Sequence, residues 1–326
     1  MHSLYPLKFT PVFKEKIWGG QKIRTSIGLD FSPLPNCGEA WVLSGVPGSE
    51  TVVANGFLKG NTLNELLEIY MDELVGEQVF EKHPDEFPVL IKFIDSNEWL
   101  SIQVHPDDAL AKKRGLGNGK SEMWYVMEAE KGSEIIAGFS KKMDRRTYTE
   151  HLEQKRLREI LNREEVSAGD VFYMPAGRIH AMGPGILLAE IQQTSDTTYR
   201  IYDWDRTDDK GNPRELHTGL ALDAIDFNAH DGYRTRYKSL PNLPAPLVHS
   251  PHFNTDLLAI NQPIDRDHTI LDSFVIQLCV EGAYRIEHEN GSEAVRKGDA
   301  VFIPACSGEV RMIPEKEASF IEIYIL

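Results

Sequence analysis

Short hydrophobic runs, many alternating with polar residues, dominate this chain. A period of two places successive side chains on opposite faces of a strand, and continuous β-rich runs of four to eight residues are typical of fully buried strands. The clearest examples are PVLIKFID (88–95), WLSIQVH (99–105), EMWYVME (122–128), DVFYMPA (170–176), TTYRIYDW (197–204) and SFVIQLCVEG (273–282). The pattern predicts a mainly β protein that forms a barrel or a sandwich.

Two segments interrupt the β pattern and are predicted to be helical. The first covers about residues 62–82, where Thr62 and Glu65 have the spacing of a capping box and apolar residues recur at helical spacing from Leu63 to Leu74. The second is predicted over 144–163. Together they would form a small helical insertion.

A weak internal repeat divides the chain. The pattern Gly-Asp-x4-Pro-Ala begins at Gly169 and again at Gly298, and prolines cluster at 241–246 between the two copies. We therefore predict two related barrels, a metal-binding domain at 1–240 and a degenerate domain at 241–326. Five residues after its proline, the second copy has Glu309 where the first has His180, so the second barrel is predicted to be structural.

Composition excludes several classes of protein. The 326 residues are 41% hydrophobic, which is enough for one or two packed cores, and they contain no apolar run of about 18 residues and no stretch typical of a signal peptide. The three cysteines lack CxxC spacing, which favours reduced thiols in the cytoplasm. A net charge of −15 disfavours nucleic acids and anionic membranes as partners, so an anionic small substrate would need a local basic pocket.

Residue types that bind metals occur at matching strand positions. In WLSIQVH, Gln103 and His105 share one face because they are two residues apart, and Glu122 follows on another alternating segment. His180 ends the run Gly-x5-Pro-x-Gly-x-x-His that starts at Gly169, where the glycines and the proline allow the turns that point it inward. Two imidazoles, a carboxylate and a carboxamide suit Zn²⁺, with Fe²⁺, Mn²⁺ or Co²⁺ as alternatives.

Each of these residues also has a simpler interpretation. A single histidine is more often an ordinary core or surface residue than a ligand, and Glu122 could pair with Lys120. Similarly, Arg200 could pair with Asp203 or Asp205. The combination of all four candidate ligands with the glycine- and proline-containing run is what favours a metal site.

The same motifs carry a resemblance to a known family. Gly-x5-Pro-x-Gly-x-x-His is similar to the second cupin motif, and SIQVHP followed by KSEMW resembles the type I mannose-6-phosphate isomerases. The resemblance continues through IWGG (17–20) and AEIQQTSDTTYRIYDWDR (189–206). It implies two cupin (jelly-roll) barrels, one zinc ion and the interconversion of mannose 6-phosphate and fructose 6-phosphate, in a compact form of the family.

The resemblance also assigns roles by position. It implies the zinc ligands Gln103, His105, Glu122 and His180. It implies a catalytic role for Arg200, an acidic residue near the reacting carbons at Glu190, and substrate or phosphate contacts at Lys92, Ser101, Lys120 and Arg200. The general base stays open between Glu190, Lys120 and a metal-activated water. Arg206 and Lys210 are further candidates for phosphate contacts.

Two other functions are compatible with a cupin metal site. An Fe²⁺-dependent oxygenase would use two histidines and one glutamate, but the additional ligand Gln103 argues against it. A non-catalytic sugar-phosphate-binding cupin would be expected to lose a ligand or Arg200, and this chain retains them all. The oligomeric state and the direction of flux are not encoded in these patterns.

Overall fold

The computed structural model describes residues 3–207 and 210–326, which form a mainly β structure. In chain order its strands are β1 Leu7–Thr10, β2 Val12–Lys14, β3 Glu39–Leu43, β4 Val52–Val53, β5 Val89–Ser96, β6 Ile102–Val104, β7 Glu122–Ala129, β8 Glu134–Phe139, β9 Leu161–Glu165, β10 Val171–Met174, β11 His180–Met182, β12 Ile186–Gln193, β13 Tyr199–Tyr202, β14 Arg234–Thr235, β15 Ala245–His249, β16 Asn254–Ile260, β17 Ile264–Arg266, β18 Val275–His288, β19 Gly291–Arg296, β20 Ala300–Ile303 and β21 Val310–Tyr324. The prediction of a mainly β fold is confirmed.

Short helices connect these strands. The α-helices are α1 Leu63–Val75, α2 Glu77–Lys82, α3 Asp108–Lys113, α4 Arg145–Glu153 and α5 Thr218–Ala224. Single turns of other helix types occur at Ile23–Ile27, Leu157–Glu159 and Thr269–Leu271. Within the described ranges, none of the helices is both long enough and apolar enough to cross a membrane.

The two predicted helical segments differ in how well they match the structure. Thr62 and Glu65 form the predicted capping box: Thr62 accepts from the Glu65 backbone N–H, and the Glu65 side chain accepts from the Thr62 N–H. Gly76, whose φ of 94° is unfavourable for other residues, separates α1 from α2. The prediction of one helix over 144–163 is wrong in extent, because α4 ends at Glu153, the backbone turns left-handed at Lys155, and 161–163 belong to β9.

Two sheets face each other in the first half of the chain. One has seven strands in the order β14-β10-β7-β12-β5-β3-β2, and the other has five in the order β13-β6-β11-β8-β9. Side chains from both fill the space between them, including Trp124, Phe172 and Leu188 from the first and Ile135 and Met182 from the second. Two facing sheets agree with the sandwich that the sequence pattern predicted and are consistent with the jelly-roll that the family resemblance implied.

The seven-stranded sheet is covered on its other face as well. There Ile91, Phe93 and Ile191 pack against Ile276 and Phe302 of a nine-stranded C-terminal sheet. Burial on both faces explains why β5 and β12 are buried along their whole length. Within each of these strands, alternate residues therefore face the site between the first two sheets.

The N-terminal strand joins the C-terminal sheet. In β1, Leu7 pairs with Phe302 and Lys8 with Val301 of β20. The two units are thus not consecutive segments of the chain, and the boundary near residue 240 stays a prediction.

The repeated motif occupies equivalent positions in the two halves. Met174, at the end of β10, pairs with Glu122 of β7, whereas Ile303, at the end of β20, pairs with Val275 of β18. The second copy therefore has valine at the position that carries a candidate ligand in the first, in keeping with a structural role.

Candidate active site

Three strands and one loop bring the predicted ligands together. Gln103 on β6 is the direct cross-strand partner of His180 on β11, His105 follows the end of β6, and Glu122 begins β7 on the opposite sheet. The candidate ligand atoms of His105, Glu122 and His180 all lie within 4.8 Å of one another. These three residues are buried, with exposures of 0–1%.

Both imidazoles are oriented by backbone carbonyls. His105 Nδ1 lies 2.9 Å from the oxygen of Thr197, and His180 Nδ1 lies 2.9 Å from the oxygen of Arg178. Because a carbonyl only accepts, each Nδ1 carries the proton and each Nε2 presents its lone pair to the site. Burial, with the ammonium of Lys120, lowers the pKa of His105 to about 3, and burial lowers the pKa of His180 as well. Both rings are therefore neutral near pH 7, as metal ligands must be.

Gln103 completes the group. Its Nε2 atom lies 3.2 Å from Nε2 of His180, and its Oε1 lies 3.4 Å from the hydroxyl of Ser101. The two ends of a carboxamide are interchangeable in shape, so a half-turn of this group presents its oxygen to the point that His180 faces. Ser101 can hydrogen-bond to the Gln103 carboxamide in either orientation, because a hydroxyl both donates and accepts.

The surroundings of the Glu122 carboxylate indicate whether a cation fits at this position. Its Oε2 accepts from Nζ of Lys120 at 2.6 Å, but its Oε1 is buried and without a hydrogen-bond partner in the described part of the chain. Oε1 lies 3.2 Å from Nε2 of His180. A buried carboxylate oxygen without a donor is costly, and a divalent cation among these nitrogen and oxygen atoms would satisfy it. The residues thus fit a metal ion of the predicted kind.

Next to this group, buried charges alternate in sign. Nζ of Lys92 lies 2.9 Å from Glu190 and 3.8 Å from Glu39, while Nζ of Lys120 lies 2.6 Å from Glu122 and 3.9 Å from Glu190. The five side chains form a continuous row, Glu39–Lys92–Glu190–Lys120–Glu122. Each buried charge therefore has an opposite charge beside it, as low-polarity surroundings require.

The alternating charges of this row change the pKa values of Glu39 and Lys92. Burial alone would raise the pKa of the Glu39 carboxyl, but Lys92 and Lys16 outweigh it and lower that pKa to about 2. Burial likewise disfavours the charged form of Lys92, yet Glu190 and Glu39 raise its pKa. The indole N–H of Trp41 also donates to Glu39 at 2.7 Å. Glu39 and Lys92 are thus fixed as ions.

Arginines gather at the other side of the site. Arg200 on β13 does not pair with Asp203: it donates to the backbone oxygen of Glu215 at 2.9 Å, and its Nε is buried and has no hydrogen-bond partner among residues 3–207 and 210–326. Asp203 instead accepts from Arg206 and from Arg214. Burial lowers the pKa of Arg200, and the positive charge of Arg214 lowers it further. The simpler interpretation of Arg200, a salt bridge with a neighbouring aspartate, is therefore wrong.

A cavity of about 300 Å³ joins these groups. Six residues predicted from the sequence line it: Lys92, Ser101, Gln103, Lys120, Glu190 and Arg200. The other three candidate ligands, His105, Glu122 and His180, are buried and are not among its lining residues. Arg206 and Lys210 are not among its lining residues, which gives no support to their predicted role as phosphate contacts. A cleft of about 400 Å³ beside Tyr5 and His288 is larger, but it is lined by no buried charged residue.

Several lining residues were not among the predicted site residues, namely Lys16, Trp18, Glu39, Trp124, Asp196 and Arg214. Glu39 could have been predicted to lie on the same strand face as Trp41, because the two residues are two positions apart in GEAW. Trp124 shares parity with Glu122, and its indole N–H donates to Glu190 at 2.8 Å. Arg214 lies in a charged, turn-rich segment that carries no periodicity, and no local signal marks it.

Comparison with known proteins identifies close relatives. Residues 6–144 match the family model of the catalytic domain of type I phosphomannose isomerase. The mannose-6-phosphate isomerase of Streptococcus mutans is 37% identical over 300 residues, which cover 92% of each chain. Mannose-6-phosphate isomerase ManA of Bacillus subtilis is 35% identical over 315 residues, 94% of this chain and 95% of that one.

A solved structure agrees over almost the whole chain. The crystal structure of the mannose 6-phosphate isomerase from Bacillus subtilis superposes with a TM-score of 0.88 at 34% sequence identity. The match covers 98% of this chain and 99% of that one.

Proposed function

This chain belongs to the type I phosphomannose isomerases, and we propose that it interconverts mannose 6-phosphate and fructose 6-phosphate with one zinc ion held by Gln103, His105, Glu122 and His180. The family and the isomerase activity rest on relatives that match nearly end to end. The observation that supports the metal is the convergence of two oriented imidazoles on a carboxylate oxygen of Glu122 for which the described part of the chain provides no donor. Zinc is the ion that a set of two histidines, one glutamate and one amide oxygen suits best.

The reaction makes three demands on the chain. A proton must move between C1 and C2 of the sugar, the negative charge that develops on oxygen must be stabilised, and the phosphate must be anchored. A bound zinc ion supplies Lewis acidity toward the oxygens of the substrate. The remaining demands fall to side chains that line the cavity.

We assign the proton transfer to Glu190. Its carboxylate lies in the cavity between Lys92 and Lys120, and Trp124 donates to its second oxygen, so its position is fixed from three sides. A carboxylate can accept a proton and return it to the neighbouring carbon. Lys92, held between Glu39 and Glu190, has its charge matched within the protein and acts mainly by holding the carboxylate of Glu190 in position.

Lys120 and Arg200 are assigned to the oxygens of the substrate. Lys120 donates to Glu122 and still lines the cavity, so it can donate to a sugar oxygen close to the metal ligands. Arg200 has a buried Nε that finds no hydrogen-bond partner among the described residues, and this donor can bind an anionic oxygen. Ser101 next to Gln103 is assigned a contact with a sugar hydroxyl. Among the described residues, no feature favours either alternative function, an Fe²⁺-dependent oxygenase or a sugar-phosphate-binding protein that lacks turnover. The isomerase is therefore the function that we propose.

A coupled assay tests the proposal. Purified protein loaded with zinc is expected to convert mannose 6-phosphate to fructose 6-phosphate, and metal analysis is expected to find one zinc ion per chain. Absence of turnover in a folded, zinc-loaded sample would refute the function. Turnover in a verified metal-free sample would refute the role of zinc alone. The cytoplasmic location stays a prediction.

A further inference from the structure

The positive charges around the cavity fall into two groups with different surroundings. Lys92 and Lys120 are buried, and each lies beside two carboxylates of the charge row. Three arginines, Arg200, Arg206 and Arg214, lie on the other side, and among the described residues the one buried carboxylate that they contact is that of Asp203. Within the part of the chain that the structure describes, these three positive charges therefore outnumber the buried negative charge beside them.

We propose that Arg214, fixed in position by Asp203, binds the phosphate group of the substrate together with Arg200. The inference rests on the proposed sugar-phosphate substrate and names the residues that would select for the phosphate. Asp203 acts here as a positioning residue and does not itself contact the phosphate.

The contacts of Arg214 preorganise its guanidinium. Its Nε donates to Oδ2 of Asp203 at 2.7 Å, and its Nη2 donates to Oδ1 of the same carboxylate. Two parallel hydrogen bonds fix the plane of a guanidinium, which lowers the entropy lost when it binds a second partner. Asp203 is only 4% exposed, whereas the side chain of Arg214 is 30% exposed and lines the cavity beside Arg200.

Comparison with Arg206 shows that contact with Asp203 alone does not place an arginine at the cavity. It also binds Asp203, but it is turned toward Glu98, 3.8 Å away, and it does not line the cavity. The chain leaves β13 at Asp203 and returns through a bridge between Thr207 and Pro213, which brings Arg214 back to the cavity. One buried aspartate thus anchors two arginines, of which one faces the substrate.

The electrostatics of the pair favour an anion. Partial burial lowers the pKa of the Arg200 guanidinium, and repulsion by the positive charge of Arg214 lowers it further. Asp196, which lines the cavity, and Glu215, which lies near Arg200, are exposed to solvent, which screens their charge. A phosphate between the two guanidiniums would replace repulsion by charge-assisted hydrogen bonds and would reach the unpartnered Nε of Arg200.

Calorimetry of the zinc-loaded protein tests the inference without depending on turnover. The ligands are fructose 6-phosphate and, separately, inorganic phosphate. Arg214→Ala is expected to weaken the affinity for both by roughly tenfold or more, the scale of one charged hydrogen-bonding partner. Asp203→Asn should weaken both in the same direction but less, while zinc content stays unchanged in each variant.

A matched control is Arg145→Ala, since Arg145 also pairs with an aspartate, Asp223, but on the surface and away from the cavity. It should bind both ligands like the wild type. Arg214→Gln, which removes the charge with little loss of volume, provides the same test if the alanine variant does not fold. Wild-type affinity in a folded Arg214 variant would overturn the inference, as would an equal loss in Arg145→Ala.

Failure of this inference and failure of the proposed function give different results. Tight, Arg214-dependent phosphate binding without isomerisation would refute the function and leave the phosphate site intact. Isomerisation by the wild type with unchanged affinity in Arg214→Ala would refute the phosphate site alone.

Discussion

Nζ of Lys92 lies 2.9 Å from Oε1 of Glu190, and the two residues are direct cross-strand partners on β5 and β12. Glu39 of β3 approaches the same ammonium from the neighbouring strand on the other side. The pair is therefore fixed by the sheet itself. In the proposed mechanism, Glu190 is thus a base on a rigid strand, held by an ion pair, and would need no rearrangement before it accepts a proton.

Glu39→Gln should destabilise the protein in a pH-dependent way. The folded-state pKa of Glu39, about 2, is below its ordinary value of 4.5, so ionised Glu39 stabilises the fold above pH 4.5 and that contribution is lost as the pH falls toward 2. The difference in free energy of unfolding between wild type and variant should be about 3 kcal/mol at pH 7 and should shrink below pH 4.5. Urea unfolding at pH 7 and at pH 3.5 measures it, and a difference that grows on acidification would contradict the assignment.

His180→Ala should remove both the metal and the activity. The variant loses one of two imidazoles that face Glu122, and the remaining donors no longer enclose a cation. Plasma mass spectrometry is expected to find about one zinc ion per wild-type chain and much less in the variant. Glu309→Ala is the control: Glu309 follows the repeated motif in the second half, is exposed, and should leave metal content unchanged. Two tightly bound ions per wild-type chain would contradict the structural role of the second repeat.

Chelation should have the same effect as losing a ligand. Dialysis of the wild type against a strong chelator is expected to abolish isomerisation, and added Zn²⁺ is expected to restore it. The measurement is activity against zinc content during titration. Activity that stays constant while zinc is removed would show that the ion is not required.

Arg200→Ala should lower kcat/KM for mannose 6-phosphate by roughly 10²-fold or more, about 2.7 kcal/mol, because it removes a donor to negative charge in the cavity. Zinc should stay bound, since Arg200 is outside the donor group. The loss is expected for free mannose at high concentration as well, whereas Arg214→Ala should affect only the phosphorylated sugar. An Arg200 variant with wild-type kinetics on both sugars would remove this residue from the mechanism.

Phe274→Ala should destabilise the contact between the two halves of the chain without changing the site. Phe274 is fully buried, and its ring centroid lies 4.8 Å from that of Phe87 and 5.3 Å from that of Phe302. Loss of a buried phenyl ring costs about 3–5 kcal/mol, which thermal or urea unfolding would detect. Ile270→Ala, at a residue that is 85% exposed, should cost less than about 0.5 kcal/mol. Zinc content should be the same in both variants.

The candidate ligands could be found from the sequence because their signals are local. Gln103 and His105 share strand parity, His180 follows a glycine and proline pattern that encodes its own turns, and Glu122 begins an alternating strand. The capping box at Thr62 is local in the same way. Strand parity and turn chemistry depend on a few neighbouring residues, so a single sequence is enough to read them.

The tertiary structure alone decided which distant residues join the site. Glu39 reaches Lys92 because β3 pairs with β5, and Arg214 reaches the cavity because the chain returns there after Asp203. The same holds for β1, which pairs with β20 nearly 300 residues later. Local periodicity tells which face a side chain occupies but not which strand lies next to it, because strand order is set by packing over the whole chain. The sequence by itself therefore determined the candidate metal ligands, and the fold determined the row of alternating charges and the arginine pair that surround them.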